Sequence, residues 1–210
     1  MHSHDSARSD IEGSVIHASR SYDAFAWFIR RTDGPILDLA EIREGDRVLD
    51  IGTGPGYLAR AAAERVGDTG RAVGLDASPE MIEQATARAK QEGSTAEFVL
   101  AGAQEMPFED GSFDAVVSRL ALHHIPAAVK ERAIEEIARV LAPGGRVVLV
   151  DLREQTLGAL LHAAVRRLHS AEPLADDGSL TEVLKIDAFA GLETGRISFL
   201  SYARARRRSE

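Results

Sequence analysis

The sequence has 210 residues, a net charge of −8 and no cysteine. The negative charge disfavours general binding to nucleic acids or anionic membranes, and the absence of cysteine excludes disulfides, thiolate-ligated metals and thiol nucleophiles. No apolar run reaches transmembrane length and the first residues lack a signal-peptide pattern, so we expect a cytoplasmic protein that does not insert into membranes.

The first 45 residues are predicted to form a polar disordered tail, residues 1–12, followed by an N-terminal helical lid, residues 13–45. Aromatic residues recur at helical spacing from Ser14 to Leu39. Asp33-Gly34-Pro35 is predicted to break this helix from a second one that runs from Ile36 to about Glu41. The helices could pack on the rim of the domain, cover the active site, or do both.

Predicted strands and helices alternate through the middle of the chain. The strands are predicted at residues 47–51, 71–75, 97–100, 113–118 and 146–150, and the helices at residues 57–66, 79–91 and from 127 to about 141. This alternation is typical of right-handed βαβ units and a parallel sheet. We therefore expect a single α/β core over residues 46–205.

The last 60 residues are less regular. Leucines from Leu157 to Leu168 predict an amphipathic helix, which an acidic loop follows. Alternating residues predict a hairpin of two strands, Leu184–Ala188 and Ile197–Phe199, joined around Gly191–Gly195; a helix at 180–190 is the competing interpretation. Arginines near the C-terminus predict a solvated basic tail at residues 206–210.

The stretch Val48–Tyr57 resembles a strand that enters a tight glycine turn and then a helix. Glycine permits positive φ and close approach of a ligand to the backbone. The order of glycines differs from the pyrophosphate-binding G-x-G-x-x-G, because Tyr57 stands at the third-glycine place. Asp50, at the end of the strand, would repel a pyrophosphate and suits a ligand with an ammonium group. A turn without a ligand is the alternative.

A second carboxylate, Asp76, ends the next predicted strand, twenty residues after Gly56. A carboxylate at this place accepts hydrogen bonds from both hydroxyls of a ribose. The two carboxylates together favour a ligand with an ammonium end and a ribose end. S-adenosylmethionine has both.

The sequence resembles the class I S-adenosylmethionine-dependent methyltransferases of the small-molecule type. Five blocks carry the resemblance, in order: Val48–Tyr57, Val73–Met81, Gly102–Phe113, Ser118–Pro126 and Leu141–Asp151. The resemblance implies a doubly wound, Rossmann-like sheet of seven mostly parallel strands with an antiparallel last strand. It also implies S-adenosylmethionine as cofactor and S-adenosylhomocysteine as product.

The resemblance also implies the residues that contact the cofactor. They lie in the glycine turn, at the strand ends and in the lid: Tyr22, Asp50, Gly52, Thr53, Gly54, Gly56, Asp76, Ala77, Met81, Ala103, Gln104, Arg119 and Leu120. One position departs from the family pattern, because Gly102 stands where relatives commonly have an aspartate near the adenine. Gln104 or a backbone group could replace that contact.

His123 and His124 follow the fourth strand, where the methyl group should face its acceptor. Histidine is suited to accept a proton near neutral pH, and Asp151 at the end of the fifth strand could assist it. Alternatively, one histidine packs or contacts the cofactor and the other caps the next helix.

The expected activity is methyl transfer to a small-molecule acceptor through an oxygen, nitrogen or carbon nucleophile. The alternative is a non-catalytic S-adenosylmethionine-binding protein of the same fold. No metal constellation and no nucleic-acid partner are expected, and the sequence is compatible with a monomer or a homodimer.

Overall fold

The computed structural model describes residues 29–122, 125, 127–152, 180, 184–198 and 200–209. A 3-10 turn at Arg30–Thr32 precedes four helices in this part of the chain: α1 (Asp33–Leu39), α2 (Tyr57–Val66), α3 (Pro79–Glu92) and α4 (Ala127–Val140). The strands are β1 (Arg47–Ile51), β2 (Arg71–Asp76), β3 (Glu97–Leu100), β4 (Phe113–Arg119), β5 (Leu141–Leu152), β6 (Phe189–Ile197) and β7 (Leu200–Arg207).

The seven strands form one sheet in the order β3-β2-β1-β4-β5-β7-β6. The first five pair in parallel, whereas β7 runs antiparallel to both β5 and β6. The predicted α/β fold, a mostly parallel sheet with an antiparallel last strand, is therefore confirmed.

The central strands are apolar on both faces because helices cover both sides of the sheet. Leu49 and Val116 belong to one buried cluster, which includes Ile137 of α4. Val48 and Val117, their neighbours in sequence, belong to the cluster on the other face, which includes residues of α1 and α2. The period of two along each strand thus assigns successive side chains to opposite layers.

The helix bounds in the middle of the chain match the prediction closely. Ser78 caps α3 as expected, since its hydroxyl accepts a hydrogen bond from the Met81 amide and Pro79 is the first helical residue. The predicted break at Asp33-Gly34-Pro35 is wrong, because these residues form the first turn of α1. Proline fits there because the first-turn amides of a helix have no partner inside it.

The predicted C-terminal hairpin is real but its strands were misplaced. Gly191–Gly195 lies inside β6, and the pairing of β6 with β7 shifts register between Ala190 and Glu193. Gly191 has a φ of 66°, so it takes up the irregularity within the strand rather than a turn between strands.

The predicted basic tail is also wrong, because β7 continues to Arg207. Along this strand Ala203 and Ala205 are buried, while Arg204 and Arg206 alternate with them and pair with carboxylates at Glu193 and Glu41. The arginines therefore belong to an edge-proximal strand with its own ion pairs.

Several predictions fall outside the described residues. These are the tail at residues 1–12, the lid helix before Ile29, and the segments at 157–168 and 172–178. Among the helices that the structure describes, none combines the length and the apolar character needed to cross a bilayer.

Glu136 on α4 fastens the loop that follows β3. Glu136 is 3% exposed, and its carboxylate accepts hydrogen bonds from the Met106 amide at 2.8 Å and from the Arg139 Nε at 2.7 Å. Arg139 in turn donates to the carbonyl of Phe108 at 2.7 Å. The Arg139 guanidinium is the main reason that the pKa of Glu136 is lowered to about 2.

We expect Glu136→Gln to lower the free energy of unfolding at pH 7 by about 2 kcal/mol, since it weakens charge-assisted hydrogen bonds to a buried group. The lowered pKa means that this stabilisation is present above the unfolded pKa near 4.5 and is lost as pH falls toward about 2. Chemical denaturation of both proteins between pH 7 and pH 3 measures the difference.

Glu135→Gln is the matched control, one residue away on the same helix. Glu135 pairs with Arg132 at 3.0 Å, but both side chains are about 60% exposed, so its replacement should change stability little. Equal losses from the two substitutions would contradict the anchoring role of Glu136.

Candidate active site

The predicted site residues lie mainly along one edge of the sheet, where the parallel strands end. In the registers, Ile51 stands opposite Leu75 of β2 and Ser118 of β4, and Arg119 stands opposite Val150 of β5. Ligands of open α/β sheets bind outside these carboxyl ends. The segments after β1, β2, β4 and β5 therefore share one edge.

The glycine turn after β1 adopts a conformation that requires glycine. Gly52, Gly54 and Gly56 have φ values of 67°, 52° and 77°, in the left-handed region that other residues rarely adopt. Space is limited too, because a Cβ at position 52 would lie 2.1 Å from the Cβ of Ala121. Gly56 is the N-cap of α2 and provides no side-chain hydrogen bond there.

Asp50 is a buried carboxyl group beside this turn. Asp50 is 2% exposed, and its Oδ2 accepts a hydrogen bond from the Thr53 hydroxyl at 2.6 Å. Burial raises its pKa to about 7, against the opposing effects of the Thr53 hydrogen bond and the nearby Arg119. A cation at this position would favour the ionised form, so the group suits an ammonium.

Asp76 links the second strand end to the same turn. Its Oδ2 accepts from the Gly54 amide and its Oδ1 from the Ser78 amide, both at 2.9 Å. Burial raises its pKa, while these backbone hydrogen bonds act in the opposite direction. Each carboxylate oxygen has two lone pairs, so each can accept one more donor, as two ribose hydroxyls would require.

The residues predicted near the adenine occupy two neighbouring segments. Ala77 is exposed directly after Asp76, whereas Met81 is buried in the first turn of α3. Ala103 follows β3 and is buried in the core cluster that contains β1 and β2 residues. Their contacts with a cofactor stay predictions.

Gln104 accounts for the unusual glycine at position 102. A Cβ at Gly102 would lie 2.6 Å from both the Nε2 and the Oε1 of Gln104. The amide of Gln104 therefore occupies the space next to position 102. That Gln104 replaces the aspartate expected from the family pattern stays a prediction.

Arg119 ends β4 at this edge, and Leu120 follows it. Leu120 has a φ of 58°, and its amide donates to the Val150 carbonyl at 2.8 Å. The guanidinium of Arg119 donates to the N-terminal turn, residues 29–33, including the Ile29 carbonyl at 3.0 Å. Direct contacts of these two residues with a cofactor stay predictions.

The structure describes only one of the three predicted catalytic residues. Asp151 lies near the end of β5 and is 2% exposed. His123 and His124 lie outside the described residues, as does Tyr22. In the part of the chain that is described, no group of three histidine, cysteine, aspartate or glutamate residues is arranged to hold a metal ion.

Tyr57, which stands at the third-glycine place, has its aromatic ring surrounded by arginine side chains. Its ring is buried, and the guanidinium carbons of Arg60, Arg30 and Arg88 lie 4.9, 5.1 and 5.3 Å from the ring centroid. Arg88 also donates to the Tyr57 hydroxyl at 2.6 Å. The side chain is thus held by cation–π contacts at the start of α2.

The sequence interpretation missed the residues that support the site. Asp33 and Thr32, in the N-terminal turn, contact Arg119 from more than 80 positions away, and no sequence signal indicates this. Glu136 could have been found, because it interrupts the apolar face of α4 beside Ile137 and has Arg139 three residues later.

The arrangement as a whole can hold a ligand that has one cationic and one dihydroxyl end. Asp50 suits the cation, Asp76 suits the hydroxyls, and the glycine turn, which has no side chain at positions 52, 54 and 56, lies between them. A pyrophosphate fits poorly, because both neighbouring side chains are carboxyl groups.

Comparison with known proteins agrees with this geometry. Residues 48–145 match the family model of a methyltransferase domain. An uncharacterized methyltransferase of Bacillus subtilis, YcgJ, is 40% identical over 119 residues, which are 56% of this chain and 45% of that protein. The ubiquinone/menaquinone biosynthesis C-methyltransferase UbiE of Hydrogenovibrio crunogenus is 34% identical over 129 residues, 60% of this chain and 50% of that one.

A solved structure is similar over most of the chain. Haemonchus contortus phosphoethanolamine N-methyltransferase 2, in complex with phosphomonomethylethanolamine and S-adenosylhomocysteine, has a TM-score of 0.70 at 22% identity, over 85% of this chain and 53% of that one. The matches to the two curated relatives span about half of their length. Residues 48–145 therefore match a methyltransferase domain, and the strand order of the sheet agrees with the fold of the solved structures that are similar to this chain.

Proposed function

We propose that this protein transfers a methyl group from S-adenosylmethionine to a small-molecule acceptor. The observation that carries the proposal is the geometry around the glycine turn. The carboxyl group of Asp50 is buried beside the turn, and the carboxylate of Asp76 accepts the Gly54 amide of the same turn. The ammonium and ribose ends of S-adenosylmethionine are complementary to these two groups.

The protein's own contribution is to bind the cofactor and to orient it. When bound, S-adenosylmethionine supplies a methyl group on a sulfonium, which a nucleophile displaces in line. Asp50 offers negative charge to the ammonium, and Asp76 accepts hydrogen bonds from the ribose. The positive-φ glycines keep side chains away from the space between them. Because the methyl donor is held in a fixed geometry, its reaction with a bound acceptor becomes effectively unimolecular.

The small-molecule acceptor is supported by the likeness to the UbiE proteins, which are C-methyltransferases of quinone biosynthesis by name. An oxygen acceptor would need a base, whereas a ready carbanion would not. His123 and His124 are the candidates for that base, and Asp151 at the neighbouring strand end is the candidate for assisting it.

Asp76→Ala should weaken S-adenosylhomocysteine binding about a hundredfold, because two hydrogen bonds to a charged group are lost. Isothermal titration calorimetry measures the dissociation constant. Asp68→Ala is the matched control, since Asp68 is exposed in the turn before β2 at the opposite edge of the sheet, and its affinity should equal that of the wild type. Unchanged affinity in Asp76→Ala would show that the ribose does not bind there.

Cofactor binding should release protons near neutral pH. Asp50 has a pKa of about 7 without ligand because of its burial, and a bound ammonium lowers that pKa. Affinity should therefore rise as pH increases from about 6 to about 8 and then level off. Calorimetry at pH 7 in buffers of different ionisation enthalpy measures the protons released. Asp50→Asn should abolish this release, and an identical release in that variant would contradict the assignment.

His123→Ala and His124→Ala separate the roles of the histidine pair. If one is the base for a hydroxyl acceptor, its substitution should lower kcat about a hundredfold while leaving S-adenosylhomocysteine affinity unchanged. Turnover over a panel of hydroxyl, amine and carbon acceptors measures this effect. Full turnover of a hydroxyl acceptor by both variants would exclude a base at either position, and cofactor binding without turnover of any acceptor would favour a non-catalytic binding protein.

A further inference from the structure

The N-terminal turn, residues 29–33, is tied to the end of β4 by a single side chain. The Nη1 of Arg119 donates to the Ile29 carbonyl at 3.0 Å and to the Thr32 hydroxyl at 3.1 Å, and it forms an ion pair with the Asp33 carboxylate. Three acceptors from one short turn thus converge on one guanidinium.

This ion pair is buried, which distinguishes it from most ion pairs of the described residues. The side chain of Arg119 is 7% exposed and that of Asp33 is 10% exposed. Removing one partner of a buried pair leaves the other charge without compensation. Burial raises the pKa of Asp33, and Arg119 opposes that rise. Arg119 therefore compensates the buried charge of the turn.

The anchor lies directly against the candidate site. Arg119 is followed by Leu120 and Ala121, and the close approach of Ala121 to Gly52 brings this segment onto the glycine turn. Arg119 is also the positive charge that counteracts the raised pKa of Asp50. One guanidinium thus lies between a carboxylate of the N-terminal turn and a carboxyl group of the site.

A second contact places the turn near the start of α2. The guanidinium of Arg30 lies 5.1 Å from the centre of the Tyr57 ring, and Tyr57 follows the last glycine of the glycine turn. The N-terminal turn therefore contacts both flanks of the site, the end of β4 and the beginning of α2.

We propose that Arg119 is a positioning residue, whose ion pair with Asp33 fixes the N-terminal turn against the glycine turn and thereby strengthens cofactor binding. The effect on affinity rests on the proposed function, whereas the anchoring of the turn does not. Arg119 acts here through the turn and through Asp50, and it needs no direct contact with the cofactor.

Trypsin tests the anchoring without any ligand. Arg30 and Arg31 are exposed residues inside the turn and are natural cleavage sites. Asp33→Asn and Arg119→Met should increase the rate of cleavage after these residues about tenfold, as followed by mass spectrometry. Arg119→Lys keeps the charge but has a single donor group in place of the guanidinium, so its rate should be intermediate.

Binding of S-adenosylhomocysteine tests the second half of the proposal. Asp33→Asn should weaken binding about tenfold, and Arg119→Met should weaken it more, because Arg119 also faces Asp50. If Asp33 acts through Arg119, the double variant should bind no more weakly than Arg119→Met alone. Arg119→Lys should recover part of the affinity.

The ion pair of Arg146 with Asp46 is the matched control. The side chain of Arg146 is 13% exposed and that of Asp46 is 16% exposed. Both residues lie at the opposite edge of the sheet: Asp46 precedes β1, and Arg146 stands near the start of the segment of β5 that pairs with β4. Asp46→Asn and Arg146→Met should lower the melting temperature but leave both the cleavage rate after Arg30 and the affinity unchanged. A loss of affinity in these variants equal to that in Asp33→Asn would reduce the role of Arg119 to general stability and overturn the proposal.

Two further results would overturn it. Wild-type cleavage rates in both Asp33→Asn and Arg119→Met would show that the pair does not anchor the turn. Faster cleavage with unchanged affinity would show that anchoring does not strengthen binding, and additive losses of affinity in the double variant would show that Asp33 does not act through Arg119. If the wild type itself bound no S-adenosylhomocysteine, the proposed function and the affinity half of the inference would both fail, and the cleavage rates would still decide the anchoring.

Discussion

The arrangement of the site depends on one buried carboxyl group, Asp50 at the end of β1. Thr53 donates to it, Arg119 is the nearby charge that opposes the raised pKa, and the glycine turn begins two residues later. Because the folded protein holds this proton up to about pH 7, the carboxyl group lowers the free energy of unfolding as pH rises from 3.8 to 7. A cationic ligand offsets that cost, so binding and fold stability are coupled at this residue.

The surrounding elements bury this group and bring neighbouring segments against it. Positive φ at the glycines and the close approach of Gly52 to Ala121 bring the segments after β1 and β4 together. Arg119 then extends the contact to Asp33 in the N-terminal turn. The same edge of the sheet thus joins segments that are up to 90 residues apart in sequence, which is how an α/β fold assembles a site from short loops.

The middle of the chain could be predicted because its signals are local. Buried parallel strands have nearly continuous apolar runs, and a carboxyl residue lies at or next to the end of two of them, at Asp50 and Asp76. The C-terminal hairpin was misplaced because Leu184–Ala188 also alternates, whereas β7 carries arginines and looks like a solvated tail. Its arginines are compensated by Glu193 and Glu41, which the sequence alone does not place beside them. The contacts of Arg119 with the N-terminal turn likewise arise only from the tertiary fold.

The central claim is that Asp50 and Asp76 receive the two ends of one cofactor. A crystal structure of the protein with S-adenosylhomocysteine tests it most directly. The account predicts that both ribose hydroxyls lie within hydrogen-bonding distance of the Asp76 carboxylate, while the amino-acid end lies against the glycine turn with its ammonium toward Asp50. A ligand bound in the reverse orientation, or with its ribose away from Asp76, would contradict the account.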